Sequence, residues 1–477
     1  MPLETIGEAA ELEAIFGDIT RAARILHENL SAQGRTAHNL YCQYVGARIA
    51  LEEGRPSHAL RLLGELEGPS IVCGLGSARI SLDLQIRATV DAADPNLAAD
   101  LESGLEFAKG QQAWFWVKCM RLTRALTSPA DMLSRHLRSM DPDDGAYLSI
   151  QAELVLRRLP DLDEDSRSIV SREAARRPER WRWALRQAMN TPGPYDLRRA
   201  AELLEQVGDT DDIPALVALR KKKSMRMPDA GRSLCRRLAA RVYVEDLGRV
   251  SVVVGGKAIA GTEIRKKVLS LLCFLLTRPQ FTATREQVFE ALWPEMDPAA
   301  SANSLNQSAY FLRHVLEPAS NDDTTAGYLR SRADLIWLDR ELVGCRSADC
   351  SKLIAALRKE PSPQLVTQLA ESYGGPYAVD FMYDEWASSY RETLHASYLD
   401  RIERAVTADT NAGAFDRALN VAQLALQADP NAEQVEFCLL RLYRRMGANA
   451  AAAEQYVHYA SVMRGQLGIE PPSLESI

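Results

Sequence analysis

The chain has 477 residues and a formal net charge of −7 at pH 7, and its length suggests about three domains. Hydrophobic residues make up 46% and charged residues 25% of it, which excludes a chain dominated by disorder. The longest apolar run, near residues 268–276, is too short to cross a bilayer, and the acidic N-terminus with Glu4 and Glu8 is unlike a signal peptide. We therefore expect a cytoplasmic protein with no membrane partner.

Signatures of enzymes and metal sites are missing from the sequence. The eight cysteines include no CxxC pair, and the seven histidines are scattered without ligand spacing. The segment around Gly255 and Gly256 is similar to a phosphate-binding loop, but Ser251 and Ala258 stand where Gly and Ser or Thr are needed. No HExxH, GxSxG or GxGxxG pattern occurs. The sequence therefore predicts no catalytic centre, no metal and no cofactor.

The N-terminal half is helical by pattern. Amphipathic segments at 37–51 and 56–67 have the spacing of a helical-hairpin repeat, and segments at 195–207 and 213–219 form a second pair of the HEAT type. Because no strict period holds across 1–219, we predict an irregular α-solenoid of TPR- or HEAT-like repeats. Such stacks form concave surfaces, and this one is expected to sense an unknown protein or ligand.

A concentrated basic segment follows at 220–241, where nine Lys and Arg residues stand against the single acid Asp229. The preceding residues 1–219 carry 25 basic and 33 acidic residues, so the change in charge is abrupt. A basic cluster of this kind can attract a polyanion such as DNA regardless of its sequence, or it can be a solvated helix face or linker. We expect residues 220–240 to connect two domains.

Residues 241–340 have a different pattern. β-Branched runs at 242–244 and 250–254, with the segment 257–260, predict a small antiparallel sheet. A hairpin is predicted at the end of this region, over 328–339. A sheet, three helices and a terminal hairpin within about 100 residues are typical of a winged helix-turn-helix domain. The three helices are predicted over 264–277, 285–293 and 299–317.

Residues 341–477 are predicted to be helical again. The spacing of Gly, Ala, Ala and Pro in one unit is that of a tetratricopeptide repeat, and the next unit has a similar spacing of Tyr, Gly, Ala and Tyr. The expected fold is therefore mainly α, with an irregular solenoid, a central winged helix with small antiparallel sheets, and a C-terminal tetratricopeptide-like domain. The repeat residues are Gly413, Ala418, Ala425 and Pro430, then Tyr443, Gly447, Ala452 and Tyr459.

The order of motifs across 241–477 resembles the SARP-type family of bacterial transcriptional activators. In that family an OmpR-like winged helix is followed by a bacterial transcriptional activator domain. The resemblance implies an activator domain at 341–477, promoter DNA as a partner, and RNA polymerase as a second partner facing the loop 294–298. It does not extend to 1–219. The similar segments are 285–294, 297–298, 303–307, 310–313, the hairpin 328–339, the motif 384–387, the repeats at 413–460 and 467–471.

The third helix of the predicted winged helix has two contrasting faces. At 100° per residue its leucines pack on the other two helices, and amide and aromatic side chains share the opposite face. Asn and Gln can bond an adenine edge in the major groove, although an ordinary solvated face has the same composition. Basic residues of the wing and of the first helix are expected to contact phosphate or the minor groove, with surface ion pairs as the alternative. The candidate DNA-binding residues are Asn303, Asn306, Gln307, Tyr310, Arg313, His314, Arg330, Arg332, Arg265 and Lys266.

Together these features predict a non-catalytic, sequence-specific DNA-binding transcriptional regulator of the activator type. The helical repeats are expected to form a homodimer, to contact a partner or to sense a signal. A protein-interaction scaffold, whose winged helix contacts other proteins, is the alternative from a different class. Salt-dependent binding of duplex DNA discriminates between the two.

Overall fold

The structure is a computed structural model that describes residues 3–30, 37–66, 75–190, 195–222, 227–318, 325–467 and 470–474. The chain divides into two compact units, Met1–Leu238 and Ala239–Ile477. Parts of two predicted features lie outside the described residues, namely 223–226 of the basic segment and 468–469 of the C-terminal motif. The predicted mainly α fold with small sheets is confirmed. The finer division at residues 219, 240 and 340 stays a prediction.

The described part of the first unit consists of helices whose apolar sides pack on their neighbours. Trp181 is fully buried in this core, and its indole Nε1 donates a hydrogen bond to Ser149 Oγ at 3.0 Å. The longer helices are α1 (Leu3–Phe16), α2 (Ile19–Leu30), α3 (Ala37–Glu52), α4 (Pro56–Gly64), α5 (Gly76–Val90), α6 (Leu97–Gly110), α7 (Trp114–Leu126), α8 (Ala130–Ser139), α9 (Ala146–Ile150), α10 (Ala152–Arg158), α11 (Glu164–Arg176), α12 (Pro178–Asn190), α13 (Leu197–Val207), α14 (Ile213–Lys221) and α15 (Arg232–Leu238).

Helices that follow one another in the chain pack together, as expected for a solenoid of helical hairpins: α1 contacts α2, α3 contacts α4, and α6 contacts α7. The last helix, α15, comes from the basic segment and packs on α13. Leu234 of α15 is buried, and its backbone N–H donates to the Glu205 carboxylate at 2.9 Å. The second half of the predicted connecting segment is therefore part of the first unit.

The second unit begins with a four-stranded sheet in the order β3-β2-β1-β7. The pairs β1–β2 and β2–β3 are antiparallel as predicted, and β1 also pairs in parallel with β7, so that Val242 lies opposite Val343. Gly255 and Gly256 have φ values of 56° and 83°, and the absence of a Cβ permits this tight turn between β2 and β3. The strands are β1 (Val242–Glu245), β2 (Ser251–Val254), β3 (Lys257–Ala260) and β7 (Val343–Cys345).

A second sheet, with strand order β4-β6-β5, carries the predicted wing. Its strands are β4 (Thr282–Thr284), β5 (Leu329–Arg332) and β6 (Leu335–Leu338), and both pairings are antiparallel. Strands β5 and β6 form the hairpin that the sequence predicts over 328–339, and it turns at Ala333 and Asp334. We call β5, β6 and this turn the wing hairpin.

Three helices of the second unit match the predicted winged-helix order: α16 (Lys266–Leu276), α17 (Arg285–Leu292) and α18 (Pro298–Leu316). A capping box begins α17, because Thr284 Oγ1 accepts from Gln287 N at 3.2 Å and Gln287 Oε1 accepts from Thr284 N at 3.0 Å. The repeat region consists of α19 (Arg346–Lys359), α20 (Pro363–Ser372), α21 (Glu385–Asn411), α22 (Phe415–Ala428), α23 (Glu433–Arg445) and α24 (Asn449–Val462).

The winged helix and the repeat region share one hydrophobic core. The Tyr377 hydroxyl donates to the backbone carbonyl of Cys273 in α16 at 2.7 Å. Asp246, which follows β1 and is fully buried, accepts from Ser347 N at 2.8 Å and from Ser347 Oγ at 2.6 Å. Burial raises the pKa of Asp246 to about 6. These contacts join the winged helix and the repeat region.

Candidate nucleic-acid interface

The predicted DNA-contacting helix is α18, and its position is fixed at its start and along one face. Asp297 caps it, because its carboxylate accepts from the backbone N–H groups of Ala299 at 3.0 Å and Ala300 at 3.1 Å. Leu305, Leu312 and Leu316 are buried, and α18 packs on α16 and α17. The opposite face is therefore held outward by the packing of these leucines.

Five of the predicted residues lie together on this outward face, which we call the polar face: Asn303, Asn306, Gln307, Tyr310 and His314 are all exposed. Tyr310 is 54% exposed, and its ring centroid lies 4.4 Å from that of His314. Nδ1 of His314 is 2.9 Å from the backbone oxygen of Tyr310. The face thus combines three amides with an aromatic pair.

Arg285 at the start of α17 contacts the polar face, although the sequence analysis did not include it among the candidates. Its Nη2 donates to Asn306 Oδ1 at 3.1 Å. The oxygen of the Asn306 amide therefore accepts one hydrogen bond within the protein, and its NH₂ group remains a donor. No local pattern indicates this contact, because it depends on how α17 crosses α18.

Arg265 also contacts α18, at the aromatic ring of Phe311. Its guanidinium carbon lies 3.8 Å above the ring centroid of Phe311, a cation–π contact, and the arginine remains exposed. The neighbouring Lys266, at the start of α16, is exposed too. The structure therefore brings the predicted Arg265 close to the helix, with its charge facing solvent.

The predicted wing arginines differ in their surroundings. Arg330 forms an ion pair with Asp339 at 3.4 Å and donates from Nε to the Gly327 carbonyl at 3.1 Å, whereas Arg332 is simply exposed. Arg313 of α18 is half-buried and donates from Nε to the Leu329 carbonyl at 3.4 Å, which links α18 to the wing hairpin. Arg313 and Arg330 are thus partly engaged within the protein, and Arg332 is available to an external anion.

Within the described ranges, no group of three or more His, Cys, Asp or Glu side chains is placed to hold a metal ion. A search of the same residues for a helix both long and apolar enough to cross a membrane finds none.

Comparison with known proteins gives one family match. Residues 345–475 match the family model for the bacterial transcriptional activator domain. This range begins at the last residue of β7 and covers the repeat region. The match therefore agrees with the activator domain that the resemblance implies for 341–477.

Two relatives are described as Regulatory protein AfsR. The protein of Streptomyces griseus is 24% identical over 202 residues, which cover 42% of this chain and 20% of the relative. The protein of Streptomyces coelicolor is 25% identical over 234 residues, which cover 48% of this chain and 23% of the relative. The matched region thus spans less than a quarter of the length of either relative.

A solved structure of Mycobacterium tuberculosis EmbR in complex with a low affinity phosphopeptide is similar over 50% of this chain and 64% of that chain, at 18% sequence identity. Its TM-score of 0.37 is too low to indicate a shared overall fold. The family match and the two relatives confirm the resemblance drawn from the motifs: residues 345–475 match the bacterial transcriptional activator domain, and this chain is similar to transcriptional regulators of the SARP type.

Proposed function

We propose that this protein is a non-catalytic transcriptional regulator of the activator type, which binds specific promoter sequences through the polar face of α18. The observation that carries the proposal is the pairing of exposed amides with buried leucines on one capped helix. An α-helix of about 10–12 Å diameter fits the major groove, which is about 12 Å wide. Base readout needs amide or guanidinium groups at the protein surface, and the polar face supplies three amides.

The three amides differ in what they can offer a base. Asn303 and Gln307 are exposed and can present both an acceptor and donors, as required for paired bonds to adenine. Asn306 offers mainly its donors, because its oxygen already accepts one hydrogen bond from Arg285. The polar face is therefore suited to discriminate bases at several positions.

Phosphate contacts supply the affinity that does not depend on sequence. Arg265, Lys266 and Arg332 are exposed at the start of α16 and in the wing hairpin, and we assign them to the DNA backbone. Arg330 contributes less, since Asp339 already balances its charge. Arg313 is among the predicted DNA contacts. We assign it instead to positioning of the wing hairpin, because it bonds the Leu329 carbonyl.

Further partners are part of the same proposal. The exposed loop 294–297, in which Met296 is 42% exposed, is suited to contact RNA polymerase as the SARP resemblance implies. The helical repeats of the second unit would hold two copies together, and the first unit would sense a protein or ligand. Stacked helical hairpins present extended surfaces for such partners.

The test is a footprint of the full chain on the DNA upstream of its own gene at low salt, with a gel-shift titration. Removing two base contacts by Asn303→Ala with Gln307→Ala should lower affinity for the protected site at least about 10-fold, since each paired contact is worth about 1–3 kcal/mol. The melting temperature should not change, because both side chains are exposed.

The matched control is Gln364→Ala with Gln368→Ala, which removes two exposed amides from α20 and should leave DNA affinity unchanged. Absence of any protected site at low salt, or equal affinities of the two double variants, would contradict the proposal and favour the scaffold alternative.

A further inference from the structure

Two buried arginines of the first unit lie beside one carboxylate. Arg48 is on α3, one turn before Glu52, and Arg180 is in the first turn of α12. Arg48 is 1% exposed and Arg180 is 0% exposed, although arginine is almost never fully buried unless it is paired. Nη2 of Arg180 contacts Oε2 of Glu52. The indole Nε1 of Trp183 donates to the backbone carbonyl of Glu52 at 3.1 Å, so α12 is fixed to the end of α3 at this point.

Most hydrogen-bond donors of the two guanidinium groups are left without an acceptor. Nη2 of Arg48 donates to the Tyr44 hydroxyl at 3.4 Å, and Nη2 of Arg180 faces Glu52. Nε and Nη1 of both arginines are buried and have no hydrogen-bond partner among the described residues. A buried donor that makes no hydrogen bond is costly, and it is more costly when the group is charged. The site therefore requires a further acceptor.

The same site has more positive charge than its own carboxylate balances. Glu52 supplies at most one negative charge, and burial raises its pKa, which favours the neutral acid. The Tyr44 hydroxyl supplies none, because burial raises its pKa well above the ordinary value for tyrosine. Since Arg180 is paired with Glu52, Arg48 is left as a buried cation whose hydrogen-bond partner in the described part of the chain is a neutral hydroxyl.

Two further acids act on this site through space, but both are engaged by other groups. Glu11 on α1 is half-buried and accepts a hydrogen bond from the Tyr41 hydroxyl. Glu153 on α10 is also half-buried, and it accepts from Arg157 at 2.6 Å and from the Tyr195 hydroxyl at 3.0 Å. Neither carboxylate satisfies the free donors of the two buried arginines.

We propose that Arg48 and Arg180 bind a small monovalent anion, of about the size of chloride, inside the first unit. Such an anion accepts hydrogen bonds from several N–H groups at once and balances the charge of Arg48. A water molecule would satisfy donors but would leave a buried charge without a counter-charge, which is unfavourable. Because both side chains are almost fully buried, the ligand has to be compact. This inference does not depend on DNA binding by α18.

The experiment is thermal unfolding of the full chain at increasing chloride concentration. The larger methanesulfonate ion keeps the ionic strength constant, so that general charge screening is equal between samples. An anion that binds only the folded chain raises Tm by mass action. Near saturation, we expect the transition of the first unit to rise by about 3–5 °C for each tenfold increase in chloride, as one bound anion would produce in a unit of this size.

A pair of variants tests whether the shift depends on the buried charge. Arg48→Met removes this charge and leaves an apolar side chain, so the shift with chloride should disappear. The matched control, Arg135→Met, removes an exposed arginine of the same unit and changes the net charge of the chain equally, so it should keep the shift. No shift in the native chain, or equal shifts in the two variants, overturns the proposal.

Anomalous diffraction from crystals of the native chain grown with bromide locates the anion directly. This measurement needs no variant, so it decides the matter even if Arg48→Met does not fold. Bromide has the same charge as chloride and nearly the same size. We expect a bromide peak within hydrogen-bond distance of guanidinium nitrogen atoms of both Arg48 and Arg180. Water density at this place without an anomalous signal overturns the proposal.

Discussion

Two arginines around α18 in the second unit are held differently from several arginines of the first unit. Those first-unit arginines are paired with acids: Arg87 bonds Asp94 at 2.6 Å, and Arg186 bonds Asp212 at 2.6 Å. Around α18, Arg265 lies on an aromatic ring and Arg285 bonds an amide. A guanidinium held by neutral groups keeps its full charge for an outside anion, whereas one paired with a carboxylate does not. This difference supports the proposal that the winged helix contacts a polyanion.

The wing hairpin allows the same comparison between two neighbouring arginines. Arg330 is paired with Asp339, whereas Arg332, two residues later in the same strand, is exposed and forms no such ion pair within the described residues. The two arginines have the same chemistry and nearly the same place, so their difference isolates the effect of an internal counter-charge.

The largest change is expected in the free energy of unfolding, as the pH changes the charge of Asp246, a buried acid held by neutral groups. Burial raises its pKa from 3.8 to about 6, which corresponds to about 3 kcal/mol. Because the folded-state pKa lies above the unfolded value, the contribution of Asp246 to the free energy of unfolding is complete below pH 3.8 and is lost as the pH rises to about 6. Denaturant unfolding of the native chain and of Asp246→Asn between pH 4 and 7 measures this contribution.

The stability of the native chain relative to Asp246→Asn should fall across this interval and stay level above it. The amide keeps an acceptor for Ser347 and does not titrate. Parallel pH profiles for the two proteins would mean that Asp246 is not desolvated as described.

A smaller effect is expected when an acid-paired arginine of the first unit is changed. Arg186 also bonds Asp209 at 2.8 Å, and its hydrogen bonds to Asp212 raise its pKa. Arg186→Gln leaves the buried Asp212 with fewer partners and should lower the free energy of unfolding by about 1–2 kcal/mol, a value reduced because Arg186 is partly exposed. Thermal unfolding gives the loss of stability, and gel shift should give an unchanged DNA affinity. A weakened DNA affinity without loss of stability would contradict the distinction between acid-paired arginines and those around α18.

The smallest change is expected in duplex affinity, where variants of the two wing arginines should differ. Arg332→Gln should weaken duplex binding about three-fold and reduce the salt dependence of affinity by about one phosphate contact, with unchanged melting temperature. Arg330→Gln should change affinity less, because Asp339 already balances that charge. Titrations at several salt concentrations measure both. A larger loss for Arg330→Gln than for Arg332→Gln would show that internal pairing does not decide which arginine is available.

Local features of the winged helix could be predicted from the sequence because they depend on neighbouring residues. The capping residues Thr284 and Asp297 begin two helices, and the turn at Ala333 forms the wing hairpin, all near the predicted positions. The outward face of α18 follows from its periodicity alone, since Leu305 and Leu312 are buried as expected.

Contacts between distant segments could not be predicted in this way. The strand β7 pairs in parallel with β1 although about 100 residues separate them, and no residue pattern near either strand indicates the partner. The bond from Arg285 to Asn306 joins residues 21 positions apart and depends on the crossing of two helices.

Selection of binding sites from a pool of randomised duplexes shows whether the polar face of α18 reads base edges. The native chain should enrich a defined motif, and Gln307→Ala should retain most of that motif but lose preference at the base pair that Gln307 contacts. No enriched motif, or an identical motif for the two proteins, would contradict the claim.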